Sequence, residues 1–168
     1  MANSIKKKSN HSTYQLDSLE KVLGISFDDR DLLRLAFVHK SYSNENPDGH
    51  MESNERLEFL GDALIDGVIS AHLYQLYPSC TEGDLTLMRI ALVRGETLAK
   101  VAKSLCLGEY LLIGKGEETS GGRERTSNLE AVFEALIGAM YLDQGYENVR
   151  MFLIQVMSKE LSDLDNYI

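Results

Sequence analysis

Apolar residues recur along most of this chain at steps of three and four, the rhythm of helices that bury one face. Between about residues 54 and 77, Leu57, Leu60, Leu64, Val68 and Ile69 keep that step, and further apolar residues broaden the face. The pattern predicts a largely buried helix, ended before Pro78 because the residue preceding a proline is pushed out of helical geometry. Upstream, Asp17 is placed to cap a helix carrying Leu19, Val22 and Leu23, with Gly24 as its left-handed stop. Asp28 or Asp29 then opens another, carrying Leu32, Leu33, Leu35 and Phe37. Downstream, Thr81 and Asp84 resemble a capping box with Asp in place of Glu. They predict a single helix through Leu85, Met88, Leu92, Leu98 and Val101, terminated at Gly108. Two more helices are expected at about 128–142 and 147–161.

The intervening segments lack either period. Residues 39–52, rich in Ser and Asn and holding Pro47 and Gly49, read as a loop. Residues 114–126, GKGEETSGGRERT, read as a mobile polar loop carrying Lys115, Arg123 and Arg125. Residues 1–14, with Lys6, Lys7 and Lys8 in a run, read as a flexible basic arm, and residues 164–168 as a short tail. Nothing alternates with period two for long enough to make a strand, and no repeat occurs at a fixed period. The expected fold is therefore all-α, a helical bundle in one domain over residues 15–163.

Composition agrees with that picture and narrows the function classes. The 168 residues are 43% hydrophobic and 26% charged, with only two prolines, as in ordinary globular chains. No apolar run approaches the roughly 20 residues of a membrane-spanning helix, and the basic start has no apolar stretch of the signal-peptide kind. A cytoplasmic protein without a membrane partner is expected. Cys80 and Cys106 show no metal-ligand spacing and read as thiols in a reducing compartment. The net charge of -9 counts against a general phosphate-binding surface. It does not exclude a nucleic-acid enzyme that holds metal with clustered carboxylates, because bound cations invert the local field.

Candidate chemistry lies in two acidic sets. Glu55, Glu58 and Asp62 stand at i, i+3 and i+7, so they share one helical face. Glu58 and Asp62 are separated by about 6 Å along the axis. Glu130 and Glu134 stand at i, i+4 on a second helix. Such residues can be a solvated charged face, or oxygen ligands for a hard cation such as Mg²⁺. Their embedding in LEFLGDALI and NLEAVFEALIGAMYL sets them among apolar neighbours, where burial is costly unless a cation or hydrogen-bond donors satisfy them. Two such helices facing each other would make a carboxylate cage. The same pattern suits a helical metal phosphohydrolase acting on nucleotides. No Ser/His/Asp or Cys/His arrangement is evident, and His39 reads as a local cap or packing residue.

The segment NERLEFLGDALI, residues 54–65, resembles the signature of the ribonuclease III family. Further matches follow in the family's order: His39-Lys40-Ser41-Tyr42, TEGDLTLMRIALV from Thr81, GKGEETSGG from Gly114 and FEALIGAMYLDQG from Phe133. The resemblance covers roughly residues 19–159. It implies the helical endonuclease-domain fold and a homodimer that cleaves double-stranded RNA by hydrolysis, in ribosomal or messenger RNA processing. It also implies Mg²⁺, with Mn²⁺ as a substitute, and products with 5′-phosphate and 3′-hydroxyl ends. By position it assigns Glu58, Asp62 and Glu134 to the metal, Asp62 and Glu134 to catalysis, Glu55 to a supporting role and Phe59 to the dimer interface. The chain departs from the family where Leu-x-Asp-x-x-Glu becomes Leu129-Glu130-Ala131-Val132-Phe133-Glu134, so that Ala131 replaces a catalytic Asp. Fewer carboxylates, extra water, or Glu130 as a supporting ligand are the open ways to complete the site. A non-catalytic double-stranded-RNA-binding protein on the same fold is the alternative function. The chain also stops where most bacterial members continue into a double-stranded-RNA-binding domain.

Overall fold

The structure is a computed structural model describing residues 15–47 and 52–164. Among the described residues ten α-helices follow in order: α1 (residues 15–23), α2 (Arg30–Ala36), α3 (Lys40–Glu45), α4 (Glu55–Leu76), α5 (Glu82–Val93), α6 (Gly95–Ser104), α7 (Lys115–Thr119), α8 (Thr126–Gln144), α9 (Tyr146–Val156) and α10 (Ser158–Leu164). Among the described residues the only β pairing is an isolated parallel bridge between Val38 and Leu112, so the fold is all-α as expected. No helix of the described residues is long and apolar enough to cross a membrane. The basic arm and nearly all of the short tail lie outside the described residues.

Helix α8 is the axis of the bundle. From Asn128 to Met140 it is buried almost all round, with Phe133, Ala135, Leu136, Ile137 and Ala139 entirely covered. A helix apolar on every side is stable only when enclosed, and α2, α4, α6 and α9 supply the enclosure. Helix α4 packs on it most extensively, through Leu57, Gly61, Ile65, Val68, Ile69 and Leu73.

The two helices meet main chain to main chain. A Cβ on Gly61 would stand 1.7 Å from the carbonyl oxygen of Glu134, and one on Gly138 would stand 2.2 Å from that of Leu57. Only glycine allows backbones this near one another. Four residues up α4 correspond to four residues down α8, so the pair runs antiparallel.

Local chemistry fixes the helix starts. Asp29 caps α2 by accepting from the amides of Asp31 and Leu32, at 3.0 and 3.1 Å. The Thr81–Asp84 capping box forms as read, and Gly24 adopts φ +68°. His39 caps α3, its ring accepting from the Ser41 amide, so it acts locally. Buried Asn54 donates to the Ala36 carbonyl at 3.0 Å while its own amide donates to Val38 at 2.8 Å, which ties the start of α4 to the end of α2.

Five expectations are corrected. Asp17, read as the cap of the first helix, lies inside α1, which already includes residues 15 and 16. The segment read as a loop over 39–52 contains α3, which is short, polar and without a buried residue, so no apolar period announces it. The single helix from Thr81 breaks at Arg94, whose backbone is extended. Leu92 and Leu98 are six residues apart, about 120° out of phase on one helix. Turning the chain at Arg94 buries both, with 2% and 1% exposure. Residues 114–126 are not an open loop: they fold into α7 and a 3₁₀ turn at Gly122–Glu124. Arg123 spans the segment, donating to Glu118 and to the Leu111 carbonyl, while Glu117 accepts from Arg125 and Asn128. The last predicted helix is two, α9 and α10, joined at fully buried Met157.

Candidate functional site

The glycine crossing decides where the acidic residues fall. Gly61 lies between Glu58 and Asp62 on α4 and backs onto the main chain of Glu134 of α8, which brings the acidic residues of both helices into one neighbourhood. Glu130, one turn before Glu134, completes the group. The charges feel one another: Glu134 is raised by Glu130, Asp62 and Glu58, and Glu58 in turn by Glu130 and Asp62. Four of the acidic residues read from the sequence are therefore brought together.

Their environments differ. Glu134 is only 7% exposed, and its carboxylate has no hydrogen bond or ion pair among the described residues. Burial first, then the three neighbouring carboxylates, push its pKa up to about 8. Glu58 and Glu130 are partly buried and also raised: burial leads in both, followed by Glu55 for Glu58 and by Glu96 for Glu130. Asp62 is exposed. None of these four side chains forms an ion pair among the described residues. Glu55 stands apart in this respect, accepting from the Ser53 hydroxyl at 2.8 Å and lying 3.9 Å from Lys40.

Glu130 occupies a notch. The first residue of α6 is Gly95, and a Cβ there would stand 2.5 Å from Oε2 and 2.7 Å from Oε1 of Glu130. Sequence reading missed both Gly95 and the acidic Glu96 beside it. Their only signal was the break at Arg94, masked by the apolar positions on either side. Ala131 is half-buried and offers no donor atom. Phe59 is not a core residue: it is 80% exposed on α4.

Oxygen donors without a cationic partner are the donor set of a hard divalent cation. Among the described residues, however, no three His, Cys, Asp or Glu side chains already stand in a metal-ligating array. Glu58, Asp62 and Glu134 are neighbours that would have to turn inward to share an ion. One surface concavity lies elsewhere, lined by Asp28 to Leu32 with Leu142 and Asp143.

Comparison with known proteins agrees with the geometry. Residues 29–161 match the family model described as Ribonuclease-III-like. Ribonuclease 3 of Lactococcus lactis subsp. cremoris is 44% identical over 152 residues, covering 90% of this chain and 65% of that protein. Ribonuclease 3 of Bacillus cereus is 47% identical over 144 residues, covering 86% of this chain and 59% of that protein. The chain thus spans about three-fifths of the length of these curated relatives. The nuclease domain of ribonuclease III from Campylobacter jejuni superposes with a TM-score of 0.78 at 40% identity, over 84% of this chain and 94% of that one. Dicer from Pichia stipitis follows with a TM-score of 0.61 at 25% identity, over 82% of this chain and 58% of that one. Sequence signature, helical architecture and the carboxylates gathered at the α4–α8 crossing converge, and the chain belongs to the ribonuclease III family.

Proposed function

We propose that the chain is a divalent-metal-dependent endoribonuclease domain that hydrolyses double-stranded RNA in cytoplasmic RNA processing. The observation that carries this reading is Glu134, a buried carboxylate with no hydrogen-bond or ion-pair partner among the described residues, facing Glu58, Asp62 and Glu130. An anion cluster of this kind, left without a cation, opposes its own burial. Glu58, Asp62 and Glu134 would hold Mg²⁺, or Mn²⁺ in its place, with Asp62 and Glu134 nearest the reacting phosphate. Such a cation supplies charge neutralisation for the phosphodiester and a nucleophilic water at neutral pH. Glu134, anchored by the rigid crossing, fixes the position of the site. Exposed Asp62 faces the side from which the duplex approaches, and Glu55, engaged by Ser53 and Lys40, supports the rim.

The products are fragments with 5′-phosphate and 3′-hydroxyl ends. Two sites are needed to cut both strands, and a homodimer supplies them. Phe59 is the anchor of that interface, because a Phe 80% exposed on an otherwise well-packed helix asks for a covering surface. The Campylobacter jejuni nuclease domain is itself described as having a region involved in dimer formation.

A second reading, duplex-RNA binding without cleavage, is favoured by Ala131 and by the lack of a ready-made three-ligand array among the described residues. One experiment separates the two: the purified chain is incubated with a long RNA duplex and Mg²⁺, with EDTA and single-stranded RNA as controls. Duplex-specific cleavage that Glu134→Gln abolishes upholds the enzyme. Binding without cleavage at any Mg²⁺ or Mn²⁺ concentration replaces it.

A further inference from the structure

We propose that Gly95 is a positioning residue whose missing side chain seats the Glu130 carboxylate beside Asp62 and Glu134, making Glu130 the ligand that stands in for the carboxylate Ala131 lacks. The inference rests on the metal-site reading above and extends it to two residues outside the family's positional assignment.

Position 130 is one step from 131, so on the helix alone its side chain departs about 100° from the face of residue 131. It shares the face of Glu134, one turn on, and is one methylene longer than Asp. What brings its carboxylate in is the neighbouring helix. All three heavy atoms nearest a Cβ on Gly95 belong to the Glu130 carboxyl group, at 2.5, 2.7 and 2.7 Å. The carboxylate thus fills the space that any other residue at 95 would take. Glu96, next along α6, and Asp62 of α4 are both near enough to act on its charge. Glu130 has no hydrogen bond or ion pair to hold it there among the described residues. A half-buried carboxylate kept among like charges, in a notch shaped to it, is explained by a cation that the group shares with Glu134, an unpartnered acidic residue nine-tenths buried one turn away.

Gly95 also gives a clean test. Its backbone is helical with negative φ, and the three nearest atoms a methyl group would meet are the far end of a flexible side chain, so Gly95→Ala is expected to displace the carboxylate rather than the backbone. Mn²⁺ binding to the purified chain, measured by calorimetry without RNA, is compared for the parent, Gly95→Ala, Glu130→Gln, the double variant and Glu134→Gln, with thermal unfolding in EDTA to verify folding. Glu130→Gln is expected to weaken Mn²⁺ binding about tenfold, and Gly95→Ala by a similar factor, in the range seen when groups supporting a metal site are removed. The double variant should be no weaker than Glu130→Gln alone, because Gly95 acts only through Glu130. Additive losses would overturn the positioning role. If Glu134→Gln abolishes binding while Glu130→Gln leaves it intact, the inference fails and the proposed metal site stands. If neither changes binding, both fail.

Discussion

Gly61 of α4 rests directly on the main chain of Glu134 in α8, with room for no Cβ between them: the nearest atom, the Glu134 carbonyl oxygen, would be 1.7 Å away. The contact that packs the bundle's two central helices is therefore also the one that sets the separation of its carboxylates. Stability and site geometry are coupled at this one residue.

Gly61→Ala tests that coupling. The methyl group meets backbone, which cannot rotate aside, so the helices must part by more than an ångström along the crossing. Overpacking of this kind costs about 1–3 kcal/mol and sometimes more. Chemical unfolding should place the loss at or above about 2 kcal/mol, and duplex cleavage should fall even at temperatures where the variant is folded. A variant as stable and active as the parent would show that the crossing relaxes freely.

The raised Glu134 carboxyl makes stability depend on pH in a defined sense. Its pKa of about 8 in the folded chain compares with an ordinary 4.5. The folded state thus keeps a proton that the unfolded chain releases above about pH 4.5, so its contribution is full below that pH and is lost as pH rises towards 8. Glu58 and Glu130, also raised, act in the same direction. The oppositely shifted Asp84, Glu117, Glu118 and Asp143 act at lower pH. Unfolding in EDTA between pH 5 and 8.5 should show stability falling more steeply in the parent than in Glu134→Gln. Added Mg²⁺ at pH 8 should restore the parent more than the variant. Equal slopes for the two chains would contradict the assignment of Glu134 as the protonated group.

Phe59 sets the expectation for assembly. Its 80% exposure on α4, beside Glu58, leaves an aromatic side chain uncovered next to the acidic residues. Light scattering at micromolar concentration should report a dimer for the parent and a monomer for Phe59→Asp, whose helical content is unchanged because the residue takes no part in the core. A parent that is monomeric at that concentration refutes the homodimer.

Much of this was legible in the chain, and the exceptions share a physical reason. Long apolar periods announced α4 and α8, and side-chain chemistry announced the cap at Thr81 and narrowed that of α2 to Asp28 or Asp29, because these signals are local. The all-α class and the acidic pairs Glu58/Asp62 and Glu130/Glu134 followed from them. Short polar α3 and α7 have no apolar period to detect, and they are held by distant partners such as Ser41, which accepts from the Gly114 amide at 2.8 Å. The turn at Arg94 was hidden because Leu92 and Leu98 are both apolar whichever way the chain runs. Gly61, Gly138 and Gly95 look like ordinary glycines until the facing helix is known. What a missing Cβ admits is a property of the neighbour, and sequence spacing carries no trace of it.

Ala131 is the position at which the reading of Glu130 can be tested directly. An Asp at this position would lie three residues before Glu134 and so on the same helical face, beside the carboxylates already present. If Glu130 already supplies the missing ligand through the Gly95 notch, Ala131→Asp in the parent adds a competing anion to a site that is complete. Mn²⁺ affinity should then change little, by less than about threefold, well below the tenfold that 1.4 kcal/mol represents. In the Glu130→Gln background the same substitution should recover most of the lost binding and cleavage, because the new carboxylate reaches the site from the adjacent position. The opposite pattern has an equally definite meaning. A large gain on Ala131→Asp in the parent, with no effect of Glu130→Gln, would show a site short of one ligand and Glu130 a bystander in its notch. Four chains, the parent, each single variant and the double, measured for Mn²⁺ binding and for cleavage of one RNA duplex, distinguish these outcomes. The sign of the interaction between positions 130 and 131 identifies which residue holds the site together.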